Sequence, residues 1–143
     1  MYKPAIVAGI MLAALAVVLG AFAAHGLKNM LPPEKIDVFQ KGVTYQFYHS
    51  FALLILGVVY ASFPNKQLEV AMPLFIGGII CFSGTLYLYP LLEVKNVSIP
   101  VIGRLITPVG GLLFISGWVM FLLGVLKKAK EVSPLPSPRE REM

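Results

Sequence analysis

Four stretches of the chain contain no Asp, Glu, Lys or Arg: Pro4–Leu27, Gly42–Asn65, Val70–Leu92 and Leu105–Leu126, each 22 to 24 residues long. Apolar residues run through them almost without a break. Helices drawn through these stretches lack the polar face that a water-exposed bundle requires. About 20 apolar residues suffice to cross a bilayer as an α-helix. The pattern therefore predicts an all-α fold, a transmembrane four-helix bundle running up-down-up-down, with an amphipathic extension before the second helix.

Helix one is expected over about Pro4–Ala24, with Pro4 in the first turn, where its missing N–H costs nothing. Ala16, Gly20 and Ala24 repeat every four residues and offer a strip where another backbone can come close. Gly26 suits a left-handed position after the helix. Pro32–Pro33–Glu34 restarts the chain as a helix, and Ile36, Phe39, Val43 and Phe47 continue at helical spacing. Asp37 and Lys41 form a favourable i,i+4 pair on this opening. Helix two ends near Phe63, and Pro64–Asn65 turns the chain. Helix three is expected over about Val70–Leu92, with Gly77, Cys81 and Thr85 as a second ladder of small residues. A loop follows over Glu93–Arg104. Helix four covers about Pro108–Leu126, with Thr107 as its cap and Gly110 and Gly111 as close-packing positions. Residues 1–128 are thus expected to form one transmembrane domain, because the connections of about 14, 4 and 12 residues are too short to fold alone. Residues 129–143 hold Pro134, Pro136 and Pro138 among alternating charges and read as a disordered polar tail.

Composition agrees with lipid as the solvent: 57% of the 143 residues are hydrophobic and 13% charged, against about 25% charged in soluble domains. A soluble enzyme is excluded. Met1–Lys3, the apolar run and Ala21–Phe22–Ala23 have the outline of a cleavable leader. The run is longer than the usual 7–15 or so apolar residues and follows a single lysine, so a retained helix is expected. The net charge of +5 forms no basic stripe on a foldable domain, which argues against a nucleic-acid partner. It reads instead as topology. The side of the termini carries Lys3, Lys66, Lys127, Lys128, Lys130, Arg139 and Arg141, and the other side Lys28, Lys35, Lys41, Lys95 and Arg104. The compact Lys127–Lys130 cluster favours a cell membrane location with both termini cytoplasmic. The tyrosines fall near the predicted span ends, as interfacial belts do.

Threading the helices places His25, Gln46, His49, Thr85, Tyr87, Arg104 and Thr107 in the half of the bundle remote from the termini, with Ser83 beside them. Gln46 and His49, three apart, share a helix face. Intramembrane polar groups of this kind either build a pocket or relay, with His49 as its proton-active member, or simply hydrogen-bond neighbouring helices at about 0.6–2 kcal/mol each. The second reading is preferred. Two histidines could ligate a haem, but nothing else marks one. Zinc would need more ligands than two histidines and the distant Cys81 provide. No cofactor is expected. No Asp or Glu lies within the spans, and no nucleophile–base pair is present.

The motifs Gly20-Ala-Phe-Ala-Ala-His25-Gly26-Leu27, Tyr45-Gln46-Phe47-Tyr48-His49, Phe82-Ser83-Gly84-Thr85-Leu86-Tyr87, Thr107-Pro108-Val109-Gly110-Gly111 and Gly117-Trp118 resemble, in order and spacing, the small membrane proteins of domain-of-unknown-function family 423, the YgdD-like proteins. The resemblance covers about residues 1–128. It departs at Ala23, where the family typically has glycine, which loosens the expected helix contact. What it implies is a multi-pass membrane location, with no activity attached. The expected function is a non-catalytic structural or accessory component whose partners are membrane lipids and either its own copies or a larger membrane complex. The alternative is a small transporter, channel or ligand-binding protein using the distal polar cluster.

Overall fold

The computed structural model describes residues 1–131, and 132–143, which hold most of the expected tail, lie outside the described residues. The described chain is helical: α1 (Lys3–His25), α2 (Pro33–Ser62), α3 (Lys66–Gly78), a π-helical turn (Ile79–Ser83), α4 (Gly84–Val94), a single turn α5 (Val101–Arg104) and α6 (Ile106–Glu131). Among the described residues, four helical segments are long and apolar enough to cross a membrane: Lys3–His25, Pro33–Ser62, Lys66–Val94 and Val101–Lys127. The third span is thus α3, the π turn and α4 in succession. At 1.5 Å per residue, the 30 residues of α2 extend about 45 Å, well beyond the roughly 30 Å hydrocarbon layer. Its first turns, with Glu34, Lys35, Asp37 and Lys41, therefore project past the apolar zone.

The helices associate as two hairpins. α1 packs chiefly on α2, and α3 chiefly on α6. The middle of the assembly is formed by α2 against the third span. Lipid tails are as apolar as leucine, so close packing of small residues must supply the attraction. On α1 the buried positions are Ala5, Gly9, Ala16 and Ala23. Of the expected ladder, Ala16 is buried, Gly20 would place a Cβ 3.3 Å from Val43 Cγ1, and Ala24 is only half-buried. Ala23 is fully buried despite lacking the family's glycine. In the second hairpin a Cβ on Gly117 would meet Phe75 at 2.7 Å, and one on Gly124 would meet Leu68 at 2.8 Å. Gly77 contacts Leu113, whereas Gly111 has nothing nearer than Phe82 Cδ2 at 4.0 Å.

Several ends differ from the sequence pattern. The third span begins at Lys66, because Asn65 caps it by accepting from the Leu68 amide at 3.1 Å. Asn65 also donates to the carbonyls of Phe63 and Gly124, tying both hairpins together on the terminal side. Gly26 is right-handed, with φ −72°. Space, not conformation, is what favours glycine there: a Cβ would lie 2.7 Å from the Phe22 ring. The left-handed residue is Asn96, φ 56°, after α4. Thr107 does not cap, since the last span already turns at Val101 and α6 starts at Ile106. α6 continues to Glu131, three residues past the expected domain limit. On the distal side Lys35 and Glu93 form an ion pair, and the Tyr89 hydroxyl donates to the Gly103 carbonyl. Lys35, not the expected Lys41, makes the ion pair found among the described residues.

The π turn reorients the third span. Before it, α3 lies mostly along α6; after it, α4 lies mostly along α2. It also lets α6 approach very closely at Gly110, where a Cβ would fall 2.4 Å from Phe82 N.

Candidate functional site

Gln46 is almost wholly buried in the distal half of α2, at 2% exposure. Its amide nitrogen donates to the Leu12 carbonyl of α1 at 2.8 Å, and its Oε1 accepts from the Tyr87 hydroxyl of α4 at 2.8 Å. One side chain therefore ties three helices. Leu12 can accept this bond because a carbonyl within an α-helix keeps a second lone pair. Tyr87 is positioned by its ring, which packs 4.7 Å from Phe39 and covers Gly42, where a Cβ would meet Tyr87 Cε1 at 2.7 Å. Ser50 donates to the Gln46 carbonyl at 2.7 Å and so stays within its own helix.

His49 shares the face of Gln46 but has different partners. Its Nδ1 lies 2.8 Å from the Tyr45 carbonyl, and its Nε2 accepts from the Trp118 indole N–H at 3.2 Å. A carbonyl only accepts and an indole only donates, so the network assigns the neutral Nδ1–H tautomer. The ring stacks on Phe114, with centroids 3.5 Å apart and planes 11° apart, and stands 5.7 Å from Phe75. Aromatic rings from α3 and α6 thus enclose the imidazole.

The third element joins the third span to α6. The Thr85 and Thr107 hydroxyls lie 2.7 Å apart, and Thr85 also lies within hydrogen-bond distance of the Cys81 and Phe82 carbonyls. Thr85 has one hydroxyl proton to give to a carbonyl, which makes Thr107 the donor to Thr85. Ser83, within the π turn, is fully buried and its hydroxyl has no partner among the described residues.

The expected cluster of seven residues is therefore divided. Gln46 meets Tyr87, Thr85 meets Thr107, and His49 meets Trp118, which the sequence reading did not include. His25 and Arg104 are exposed and stand apart from these bonds. Trp118 is exposed on α6, and an indole N–H at a depth without water must find its acceptor within the protein; that requirement was the signal that could have paired it with a histidine. Among the described residues no group of three or more His, Cys, Asp or Glu gathers to hold a metal ion. The arrangement can fix helix positions and select one histidine tautomer. Apart from the Ser83 hydroxyl, its polar side chains bond to one another or to backbone carbonyls.

The model of the family described as "Protein of unknown function (DUF423)" matches residues 19–111, the stretch that carries Gln46, His49, Thr85, Tyr87 and Thr107. The chain belongs to the DUF423 family. It is similar to a UPF0382 membrane protein of Staphylococcus aureus, 42% identical over 124 residues covering 87% of this chain and 96% of that protein. A UPF0382 membrane protein of Staphylococcus saprophyticus is 41% identical over 125 residues, with 87% and 98% covered. One of Staphylococcus haemolyticus is 37% identical over 122 residues, with 85% and 94% covered. No solved structure matches the chain. This DUF423 protein is a multi-pass membrane protein, and the names of its relatives assign them no biochemical activity.

Proposed function

We propose that this protein is a non-catalytic structural or accessory component of the cell membrane that self-associates or joins a larger membrane complex, with both termini in the cytoplasm. The observation that carries this reading is that the polar side chains within the spans are largely taken up by contacts between helices: Gln46, His49, Thr85 and Thr107 each bond to a neighbouring helix, and of the buried polar side chains described only Ser83 lacks a partner. Transport or catalysis requires groups whose bonding capacity is open to a ligand, whereas these groups hold helices in place. Association is supported by the outer face of α6. Leu112, Ile115, Val119, Leu122 and Leu126 are all exposed there. Their alternating spacing of three and four is that of a left-handed helix–helix seam. The basic cluster Lys127–Lys130 supports the cytoplasmic orientation.

Cysteine crosslinking in native membranes tests the association, using a Cys81→Ser background with single cysteines at Ile115, Val119 or Leu122. Adducts should form at these positions and be absent at Val58, which faces outward from α2. A chain that stays monomeric and captures nothing from any α6 position would overturn the reading. The rival, a small-ligand site or permeation path in the distal half, has the partnerless Ser83 hydroxyl in its favour. Under it, His49→Ala would abolish a flux or a ligand-induced stabilisation while the protein still inserts. Such a loss would replace the structural reading.

A further inference from the structure

On the edge of the molecule away from α6, α1 and α2 leave a groove of about 280 Å³ lined by Ala16, Val17, Gly20, Val43, Thr44 and Phe47, with Tyr48 at its side. It exists because Ala16 and Gly20 present almost no side chain opposite the bulky Val43 and Phe47. The groove is open to lipid and nearly all hydrocarbon. Its volume is slightly below the roughly 300–1,000 Å³ of pockets that enclose drug-sized ligands, so it can seat a stretch of an acyl chain without enclosing a whole molecule.

Polarity along the groove is graded. Lys41, Thr44 and Tyr48 lie on one stripe of α2, spaced three and four residues apart, so Lys41 stands about 4.5 Å beyond Thr44 and about 10 Å beyond Tyr48 along the helix. Lys41 is exposed and makes no ion pair among the described residues; Asp37, one turn farther from the apolar zone, is not bonded to it. Lys28 lies just past the end of α1 on the same membrane side. The Tyr48 side chain is 62% exposed, and no hydrogen bond ties its hydroxyl to the described residues. A cation at headgroup level, a phenol at the depth of ester carbonyls and an apolar trough below reproduce the polarity profile of one phospholipid molecule.

We propose that the α1–α2 groove is a binding site for an anionic phospholipid, with one acyl chain along Ala16, Gly20 and Phe47 and its phosphate at Lys41. The site is separate from the association face of α6, so either can fail alone.

The test is native mass spectrometry of the full-length protein released from nanodiscs of phosphatidylcholine and phosphatidylglycerol in equal parts. Wild type should retain phosphatidylglycerol in preference. A lysine near a membrane surface contributes about 1 kcal/mol toward an anionic lipid, so Lys41→Gln should reduce that preference about fivefold. Thr44→Trp, which fills the mouth of the groove at an exposed position, should abolish retention. Lys95→Gln removes the same charge on the same side but outside the groove, and should leave retention unchanged. Helical content and melting temperature close to wild type establish that each variant is folded. Equal retention of both lipids, or equal losses in Lys41→Gln and Lys95→Gln, would overturn the proposal. So would a dimer that Thr44→Trp dissolves while lipid retention persists, because the groove would then belong to a second copy of the chain.

Discussion

Replacing Gly110 by alanine adds one methyl group at the tightest point between α6 and the third span. That methyl would lie 2.4 Å from Phe82 N, and 2.8 Å from its Cα and from its Cβ. These are mostly backbone atoms, which cannot swing aside as the end of a side chain can. Ordinary contact begins near 3.4 Å, so α6 must retreat by about 1 Å. A gap of that size forfeits about a quarter to a half of the dispersion energy of each affected contact. Overpacking of this kind costs about 1–3 kcal/mol, and in lipid no hydrophobic term compensates for lost packing. Two neighbouring glycines serve as controls. Gly111→Ala meets nothing closer than 4.0 Å, and Gly84→Ala nothing within 4 Å; both should gain about 0.5–1 kcal/mol from better helix propensity. The propensity gain is common to all three substitutions and cancels, so Gly110→Ala should fall roughly 1–3 kcal/mol below either control. Unfolding by dodecyl sulfate in mixed micelles measures this, read through the single tryptophan, Trp118, which sits on α6 against Phe75 and Phe121. If Gly110→Ala unfolds within about 0.5 kcal/mol of Gly111→Ala, a small surface-like perturbation, the close approach at Phe82 is wrong.

Two further outcomes are expected from the same assay. A double-mutant cycle of Gln46→Leu and Tyr87→Phe should give a coupling of about 0.6–1.7 kcal/mol, the range of hydrogen bonds between membrane helices; strictly additive effects would mean that the two side chains do not bond. Asn65→Ala should cost about 1–2 kcal/mol as a lost helix cap and inter-hairpin tie, while Asn65→Asp, which keeps the accepting oxygen but not the donor to Gly124, should recover about half. Equal loss in both variants would place the effect in the Gly124 bond and not in the cap.

The spans were legible because excluding charge from a bilayer leaves long uncharged runs that nothing else explains. Their ends were less so. Lys66, Gln67 and Glu69 read as a connection, yet a helix can extend into the interface with charged residues, and Asn65 supplies its cap. Thr107 followed by proline reads as a helix start, but an earlier turn at Val101 left its hydroxyl free to reach Thr85. Depth placed Gln46 and Tyr87 in one group but did not pair them; their bond depends on how α2 and α4 face each other. Depth also grouped His25 and Arg104 with them, although residues near a membrane boundary can reach water and so need no buried partner. The π turn had no signature, because Ile79-Ile80-Cys81-Phe82-Ser83 is an ordinary apolar sequence whose conformation depends on what packs against it.

That turn makes the protein sensitive to chain length in an uneven way. Deleting one residue from an α-helix rotates everything beyond it by about 100°, which elsewhere in these spans would turn one hairpin's contacts out toward lipid. Between Ile79 and Ser83 the helix already holds one residue more than a regular turn requires. Loss of the exposed Ile80 would let the segment close as an uninterrupted helix while keeping Phe75 toward Gly117 and Tyr87 toward Gln46. The third span thus contains a five-residue window that can absorb a deletion, set at the level where its allegiance passes from one neighbour to the other.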